Sequence, residues 1–217
     1  PKSSGSVNFW NTESEKMESI DELDDEGMRS FRRNMQMIFQ DPYESLNPRW
    51  TIKDIIKEPL DIHNIGALND REEAVIEILR TVGLTPPENY LARYPHEISG
   101  GQRQRVSIAR TLIMKPKFVI CDEPTSMLDV SIRISIMDLM LNLAKDLNVS
   151  YLYITHDLAV ARYMCNRIAV MFNGKIVEIA DTEELLNNPI HPYTKRLISS
   201  IPIPRSKLQK RKIHNKL

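Results

Sequence analysis

The chain has 217 residues, of which 41% are hydrophobic and 27% are charged, and this is typical of a globular protein with one substantial domain or a domain with a smaller satellite. Its 29 basic residues balance its 29 acidic residues, which excludes the global basic field expected of a nucleic-acid-binding protein. Two cysteines are too few for a disulfide framework, and no apolar run reaches the length needed to span a bilayer.

Charge is distributed unevenly along the chain. Residues 13–26 contain eight acidic residues and one lysine, whereas residues 205–217 contain six basic residues and no acidic one. Both patterns are typical of solvated segments. For the basic C-terminal tail, contact with an anionic membrane surface is the functional alternative.

Three apolar segments end in polar residues that suit a functional site. The first ends at Gln40, the second at Asp122 and Glu123, and the third at His156. Continuous apolar runs are typical of buried parallel strands, and open α/β sheets bind ligands beyond the carboxyl ends of their strands. We therefore expect these four residues to gather at one edge of a sheet.

The segments between these strands show helical periodicity and are predicted to form helices. Residues 131–147 form an amphipathic pattern, which predicts a helix that joins the second and third strands in a right-handed crossover. The side chains predicted to cover the sheet are Ile134, Ile136, Met137, Met140, Leu141, Leu143 and Ala144. Three more helices are predicted between the first and second strands, over residues 50–64, 71–83 and 102–114. Asn173-Gly174 predicts a β-hairpin near the end of the chain.

Two of the seven glycines are adjacent, in the stretch ISGGQ from Ile98 to Gln102. Ser99 is the predicted N-cap of the helix that follows. A helix N-terminus binds anions, and Gly100 and Gly101 would let a phosphate group approach the backbone closely. A flexible loop before the helix is the alternative.

The order of these motifs resembles the ATP-binding cassette (ABC) family. In that resemblance Gln40 is the Q-loop glutamine, ISGGQ is the signature motif with isoleucine in place of the usual leucine, and FVICDEP is similar to Walker B. Residues 126–129 resemble the D-loop, and His156 resembles the switch histidine. The segments FRRNMQMIFQDPYESLNPR, RYPHEISGGQRQR and NNPIHPYTKRL are similar to the ATPases of oligopeptide and dipeptide importers.

The resemblance implies an α/β fold, a P-loop NTPase (ABC ATPase) core with a helical signature subdomain. Residues 1–42 would be a remnant of the N-terminal β part that ends in the Q-loop, and residues 43–115 the helical subdomain. Residues 116–181 would complete the core, and residues 182–217 would form an importer-type appendage with the basic tail. No GxxxxGK[ST] motif occurs in the sequence. We expect a chain cut behind its Walker A motif, or alternatively a subunit with a degenerate one.

The resemblance also assigns roles to single residues. Glu123 would be the general base or water-positioning residue, and His156 would act with it at the γ-phosphate. The residues expected to contact nucleotide are Gln40, Ser99, Gly100, Gly101, Gln102, Asp122 and Asp129. Gln40 and Asp122 would contact Mg²⁺ indirectly, so ATP and Mg²⁺ are the expected cofactors. Without the resemblance, a turn carboxylate and a structural histidine would explain Glu123 and His156.

The implied partners are those of a membrane importer. They are a second ABC ATPase subunit in a homodimer or heterodimer, two transmembrane permease subunits and, indirectly, an extracytoplasmic solute-binding protein. Nucleic acid is not expected as a partner, and the expected location is peripheral, on the cytoplasmic face of the cell membrane. The alternatives are a non-catalytic interaction subunit and a soluble ABC ATPase that acts on nucleic acid. The chain alone is expected to lack ATPase activity.

Overall fold

The computed structural model describes residues 4–11 and 15–200. The chain divides into two compact units, one that ends at Ile154 and one that begins at Thr155. The basic segment 205–217 lies outside the described residues, so its predicted solvated character stays a prediction. The four-part division at residues 42, 115 and 181 also stays a prediction.

The first unit contains five strands and seven α-helices among the described residues. The strands are β1 (Asn8–Asn11), β2 (Lys16–Ser19), β3 (Met35–Ile38), β4 (Phe118–Asp122) and β5 (Ser150–Ile154). The helices are α1 (Asp25–Phe31), α2 (Pro42–Ser45), α3 (Ile52–Ile62), α4 (Leu68–Thr81), α5 (Glu88–Leu91), α6 (Gly100–Leu112) and α7 (Val130–Asp146). Short 3₁₀ turns cover Ile20–Glu22 and Pro95–Glu97.

The acidic segment is folded over much of its length and is not a linker, although most of its described acidic residues are exposed, as a solvated segment requires. Strand β2 pairs antiparallel with β1, and α1 follows it. Asp24 accepts a hydrogen bond from the Gly27 amide at 2.7 Å, which caps α1. Acidic residues are favourable in the first turn of a helix because they offset its dipole. The Phe9 and Phe31 rings meet edge to face at 5.0 Å and anchor the helix to the hairpin.

Strands β3, β4 and β5 form a parallel sheet in that order, as the apolar runs predicted. Met35 pairs with Phe118 at one end of the sheet, and Asp122 pairs with Ile154 at the other. Helix α7 connects the parallel strands β4 and β5, as predicted, and the right-handedness of this crossover stays a prediction. The carboxyl ends of the three strands therefore share one edge.

Burial on this layer differs in part from the prediction. Ile134 is 48% exposed, whereas the buried side chains of α7 are Ile136, Met137, Met140 and Leu143. Strand β5 pairs only with β4 among the described residues, and its Leu152 and Ile154 side chains are 49% and 46% exposed. Exposed and half-buried residues alternate along β5, so Leu152 and Ile154 lie on a face of the strand that the described residues leave uncovered.

The three helices predicted between the first two strands are confirmed as α3, α4 and α6, with boundaries shifted by a few residues. They pack on one another through buried aliphatic side chains. These include Ile52, Ile55, Ile56, Leu60, Val75, Leu79, Val106, Ile108 and Leu112. Gly83 lies just after the end of α4 with a φ of +75°, a conformation that glycine adopts without strain.

The second unit contains α8 (Leu158–Met164), β6 (Arg167–Phe172), β7 (Lys175–Asp181), α9 (Thr182–Asn187) and α10 (Pro192–Ser199). Strands β6 and β7 form an antiparallel hairpin around Asn173-Gly174, where φ is +49° and +75°. The predicted hairpin is therefore confirmed. The hydrophobic core of the second unit consists of Ala161, Ile168, Val170 and Leu185. Among the described helices of both units, none is long and apolar enough to cross a membrane.

Candidate functional site

Gln40 and Glu123 meet at the carboxyl edge of the parallel sheet. Gln40 follows β3 and Glu123 follows β4, and the two strands are neighbours. Gln40 Nε2 donates a hydrogen bond to Glu123 Oε2 at 3.3 Å. Asp122, the last residue of β4, occupies the same edge. Three of the residues predicted from strand ends thus lie at the same edge, although Gln40 and Glu123 are 83 positions apart in the sequence.

The backbone of Glu123 adopts a conformation that is unusual for a residue with a side chain. Its φ is +43°, in the left-handed region that costs a non-glycine residue about 1 kcal/mol or more. The Glu123 amide donates to the Ile154 carbonyl at 3.0 Å. The Ser126 amide and hydroxyl donate to the Glu123 carbonyl at 3.1 and 3.0 Å. These bonds fix the direction in which the carboxylate leaves the strand.

Ser99 caps α6 as predicted, in a reciprocal capping box. Its Oγ accepts from the Gln102 amide at 3.3 Å, and Gln102 Oε1 accepts from the Ser99 amide at 3.0 Å. Ser99 is exposed. The start of a 13-residue helix therefore presents a capped, accessible N-terminus, which is a suitable place for an anion.

The two adjacent glycines have different surroundings. A β-carbon at Gly100 would lie 3.6 Å from Tyr43 Oη and 3.8 Å from Leu128 Cδ2, which are ordinary contact distances. A β-carbon at Gly101 would lie only 2.7 Å from Ile132 Cγ2 on α7. Gly101 is also buried. Close packing of α6 against α7 is therefore a sufficient reason for the second glycine, and a phosphate contact by either glycine stays a prediction.

The segment after Gln40 is connected to α6 by contacts that the sequence analysis did not identify. The Arg103 guanidinium lies over the Tyr43 ring, 4.1 Å from its centroid, and Arg110 Nη1 donates to the Ser45 carbonyl at 3.0 Å. Arg110 Nη2 also pairs with Glu58 at 2.7 Å. One signal was available, because Arg103 and Arg110 are seven residues apart and so share one face of a helix.

Asp129 and His156 each lie at or just before the start of a helix, α7 and α8 respectively. Asp129 is exposed at the N-cap position of α7 and makes no capping bond with its side chain. His156 belongs to the unit that begins at Thr155, so its role in the site stays a prediction. It lies in a turn where the Asp157 amide donates to Thr155 Oγ1 and Asp157 caps α8.

Gln40 and Asp122 carry an amide oxygen and a carboxylate, which are ligand types that Mg²⁺ takes in proteins. Among the described residues, no group of three or more His, Cys, Asp or Glu side chains could hold a metal ion. Mg²⁺ usually keeps several waters and binds through one or two carboxylates together with substrate phosphates. The amide of Gln40 and the carboxylate of Asp122 fit such an indirect arrangement. The exposed N-terminus of α6 fits a phosphate.

A separate cleft of about 640 Å³ lies beside α1 and the end of α3, and none of the predicted site residues lines it. Its arginines are occupied by the protein itself. Arg29 donates to the Ile62 carbonyl, and Arg33 donates to His63 Nδ1 and to the His63 carbonyl. Burial lowers the pKa of His63, and the charges of Arg33 and Arg29 lower it further. A neutral His63 can accept the Arg33 bond, so these contacts stabilise a helix end.

Comparisons with known proteins agree with the motif order. A family model described as ABC transporter matches residues 2–126, and one described as Oligopeptide/dipeptide transporter, C-terminal region, matches residues 177–216. Among curated relatives, the oligopeptide transport ATP-binding proteins AppF and OppF of Bacillus subtilis are 49% and 51% identical over 88% and 86% of this chain. AmiF of Streptococcus pneumoniae, another oligopeptide transport ATP-binding protein, is 53% identical over 83% of this chain.

The matched regions cover 58% of AppF, 61% of OppF and 58% of AmiF, so the chain spans about three fifths of these relatives. A solved structure is also similar, the dimeric post-hydrolysis state of the ATP-binding cassette MJ0796 bound to ADP and Pi. It has a TM-score of 0.65 and 30% identity, with 76% of this chain and 70% of that chain covered. These matches confirm the resemblance and the α/β P-loop NTPase fold class. Because the ABC transporter model matches more than half of its residues, the chain belongs to the ABC transporter family.

Proposed function

We propose that the chain is part of an ATP-binding and ATP-hydrolysing subunit of a membrane importer for peptides. The observation that carries this proposal is the contact between Gln40 and Glu123 at the carboxyl edge of the sheet. The relatives that support it are oligopeptide and dipeptide transport ATP-binding proteins. The match of residues 177–216 to the oligopeptide/dipeptide transporter C-terminal region supports a peptide as the solute.

Glu123 is the proposed general base, or the residue that positions the attacking water. Its left-handed backbone and the Gln40 amide fix the carboxylate before the reaction begins. Such preorganisation is how the protein contributes most of the rate in phosphoryl transfer, which asks little covalent chemistry of it. His156 is proposed to contact the γ-phosphate.

The remaining predicted residues are proposed to bind nucleotide and metal. Ser99, Gly100 and Gln102 at the start of α6 would face a phosphate bound by the second ATPase subunit, with Asp129 beside that interface. Gly101 supports this helix end through its packing on Ile132. Asp122 and Gln40 would orient Mg²⁺ through water. Bound to the phosphates, Mg²⁺ neutralises the negative charge that develops during transfer.

The proposed assembly follows from this arrangement. The start of α6 completes a nucleotide site only across an interface, so a second ABC ATPase subunit is required, either identical or different. The dimeric state of the ATP-binding cassette MJ0796 supports such an arrangement. Two transmembrane permease subunits and, indirectly, an extracytoplasmic solute-binding protein complete the importer. The subunit would bind peripherally at the cytoplasmic face of the membrane.

The test is made in the assembled importer, with Glu123→Gln compared with wild type. Glu73→Gln is the matched control, because Glu73 is an exposed carboxylate on α4. Loss of a general base typically costs about 10²–10⁴-fold in rate. We expect Glu123→Gln to lower ATP turnover and peptide uptake by about that factor while ATP binding persists. Glu73→Gln should match wild type.

Two results would count against the proposal. Turnover near the wild-type value in Glu123→Gln would remove Glu123 from the chemical step. A wild-type assembly that binds ATP without hydrolysing it would instead favour a non-catalytic interaction subunit. The relatives named above are transport proteins, which supports an importer over an ATPase that acts on nucleic acid.

A further inference from the structure

Arg133 lies near the start of α7, where a positive charge is unfavourable because the helix dipole is positive there. Its guanidinium compensates by donating to three backbone carbonyls. Nε donates to the Thr125 carbonyl at 3.1 Å, and Nη2 donates to the Ser126 and Leu128 carbonyls at 3.3 Å each. One side chain thus gathers the carbonyls of the loop that joins β4 to α7.

This loop is the segment that carries the proposed catalytic carboxylate. It runs from Glu123 to Asp129, the residue at the N-cap position of α7. Ser126 is bonded to the Glu123 carbonyl through its amide and hydroxyl, and the Leu128 amide donates to the Thr125 carbonyl at 3.3 Å. The carbonyls that Arg133 contacts therefore belong to the same turns that fix the Glu123 backbone.

The loop also lies against the start of α6. A β-carbon built on Gly100 would be 3.8 Å from Leu128 Cδ2, and one built on Gly101 would be 2.7 Å from Ile132 Cγ2. Residues 126–129 include Met127, which is 60% exposed. A change in the loop backbone would therefore alter both the backbone of Glu123 and the packing at the N-terminus of α6.

We propose that Arg133 is a positioning residue that clamps the Glu123–Asp129 loop through its three carbonyls. It acts on catalysis through the loop backbone, by fixing Glu123 in its left-handed conformation against Gln40. The catalytic part of this inference rests on the proposed function. The clamp itself is independent of it, since it concerns only the backbone of the loop.

The fork of an arginine is specifically suited to this task. Its planar guanidinium presents donors at fixed angles, so Nε and Nη2 reach several carbonyls at once. A lysine keeps the charge but offers donors from a single point. Arg133→Lys is therefore expected to retain only part of the clamp, and Arg133→Ala to lose it. Comparison of the two variants distinguishes the contribution of the guanidinium geometry from that of its charge.

The first experiment measures amide hydrogen exchange in this chain for wild type, Arg133→Ala and Arg133→Lys. Loss of one or two net hydrogen bonds corresponds to about a tenfold faster local opening. We expect that acceleration at the Ser126 and Leu128 amides of Arg133→Ala, a smaller one in Arg133→Lys, and unchanged exchange in β4. Added methylguanidinium should restore protection to Arg133→Ala, because it supplies the missing donors.

Arg105→Ala is the matched control for general destabilisation. Arg105 also contacts α7, through Nη2 to Ser135 Oγ at 2.9 Å, but its other bond is to the Val82 carbonyl. In Arg105→Ala, exchange at the Ser126 and Leu128 amides should not accelerate more than exchange in the rest of the first unit. Unchanged loop exchange in Arg133→Ala, or equal acceleration throughout the first unit, would overturn the clamp. Wild-type protection in Arg133→Lys would show that charge alone is sufficient and would overturn the fork argument.

The second experiment measures steady-state ATP hydrolysis in the assembled importer. A misdirected Glu123 impairs the chemical step rather than nucleotide binding, so kcat should fall about tenfold or more while KM for ATP stays within about twofold. Unchanged kcat, or a change that appears mainly in KM, would overturn the catalytic part. If Glu123→Gln also leaves turnover intact, the proposed catalytic role of Glu123 fails, and the exchange experiment still decides whether the clamp exists.

Discussion

Replacement of Gly101 by alanine is expected to destabilise the chain, whereas the same replacement at Gly100 is not. The new β-carbon at position 101 would lie 2.7 Å from Ile132 Cγ2, so α6 or α7 would have to shift. At position 100 the nearest atom outside the helix would be Tyr43 Oη at 3.6 Å, an ordinary contact. The two positions are adjacent, so differences in helix propensity between them are small.

The size of the effect follows from two opposing terms. Forcing an extra carbon into a packed contact costs about 1–3 kcal/mol, whereas alanine in place of glycine gains up to about 1 kcal/mol of helix propensity. Gly101→Ala should therefore lower the free energy of unfolding by up to about 3 kcal/mol, and should be about 1–3 kcal/mol less stable than Gly100→Ala. Gly100→Ala should leave it unchanged or raise it by up to about 1 kcal/mol.

Urea unfolding followed by circular dichroism measures both variants. Ile132→Ala removes the atom that the new carbon would meet, so Gly101→Ala should be better tolerated in that background. The double-mutant cycle should give a favourable coupling of about 0.5–3 kcal/mol. Equal stability of Gly101→Ala and Gly100→Ala, or no coupling with Ile132→Ala, would refute the packing argument. The glycine pair would then have to be explained by a ligand.

Two further predictions concern stability. Arg110→Ala should lower the free energy of unfolding by about 1–3 kcal/mol, because the Ser45 carbonyl and the Glu58 carboxylate lose a shared donor; a change below about 0.5 kcal/mol in urea unfolding would contradict this. The pKa of Glu178 is lowered from its usual value of 4.5, chiefly by the Thr194 hydroxyl and to a smaller extent by the backbone amides of Ile190 and His191. The contribution of the Glu178 carboxylate to the free energy of unfolding is present above pH 4.5 and is lost as the pH falls through the folded pKa. Wild type and Glu178→Gln should therefore converge in stability towards low pH. A constant difference between them would contradict this.

The order of the parallel strands, of the four helices between them and of the hairpin was predictable because it depends on local patterns. Continuous apolar runs that stop at a polar residue identified β3, β4 and β5, and the helical period between the last two identified α7. Ser99 was recognisable as an N-cap because a serine followed three residues later by glutamine satisfies two free amides reciprocally. Such features require only neighbours in the sequence.

Which surface is buried was harder to predict, because burial depends on distant segments. Helix α7 is apolar around most of its circumference, so a broad stripe fits its sequence and Ile134 could be counted as covered when it is 48% exposed. The same reasoning failed for Leu152 on β5, which lies on a face of the strand that the described residues leave uncovered. Gly101 is the opposite case, since its contact with Ile132 becomes visible only when α6 and α7 are placed together.

The geometry of the Glu123 loop lies beyond both kinds of pattern. A basic residue at the start of a helix opposes the dipole, so the sequence alone suggests that Arg133 points into solvent. Its position is favourable only because three carbonyls converge on it. They belong to the loop that begins at Glu123, whose amide donates to the Ile154 carbonyl at the end of β5. The direction of the carboxylate is thus determined by a strand and a helix that both follow it in the sequence.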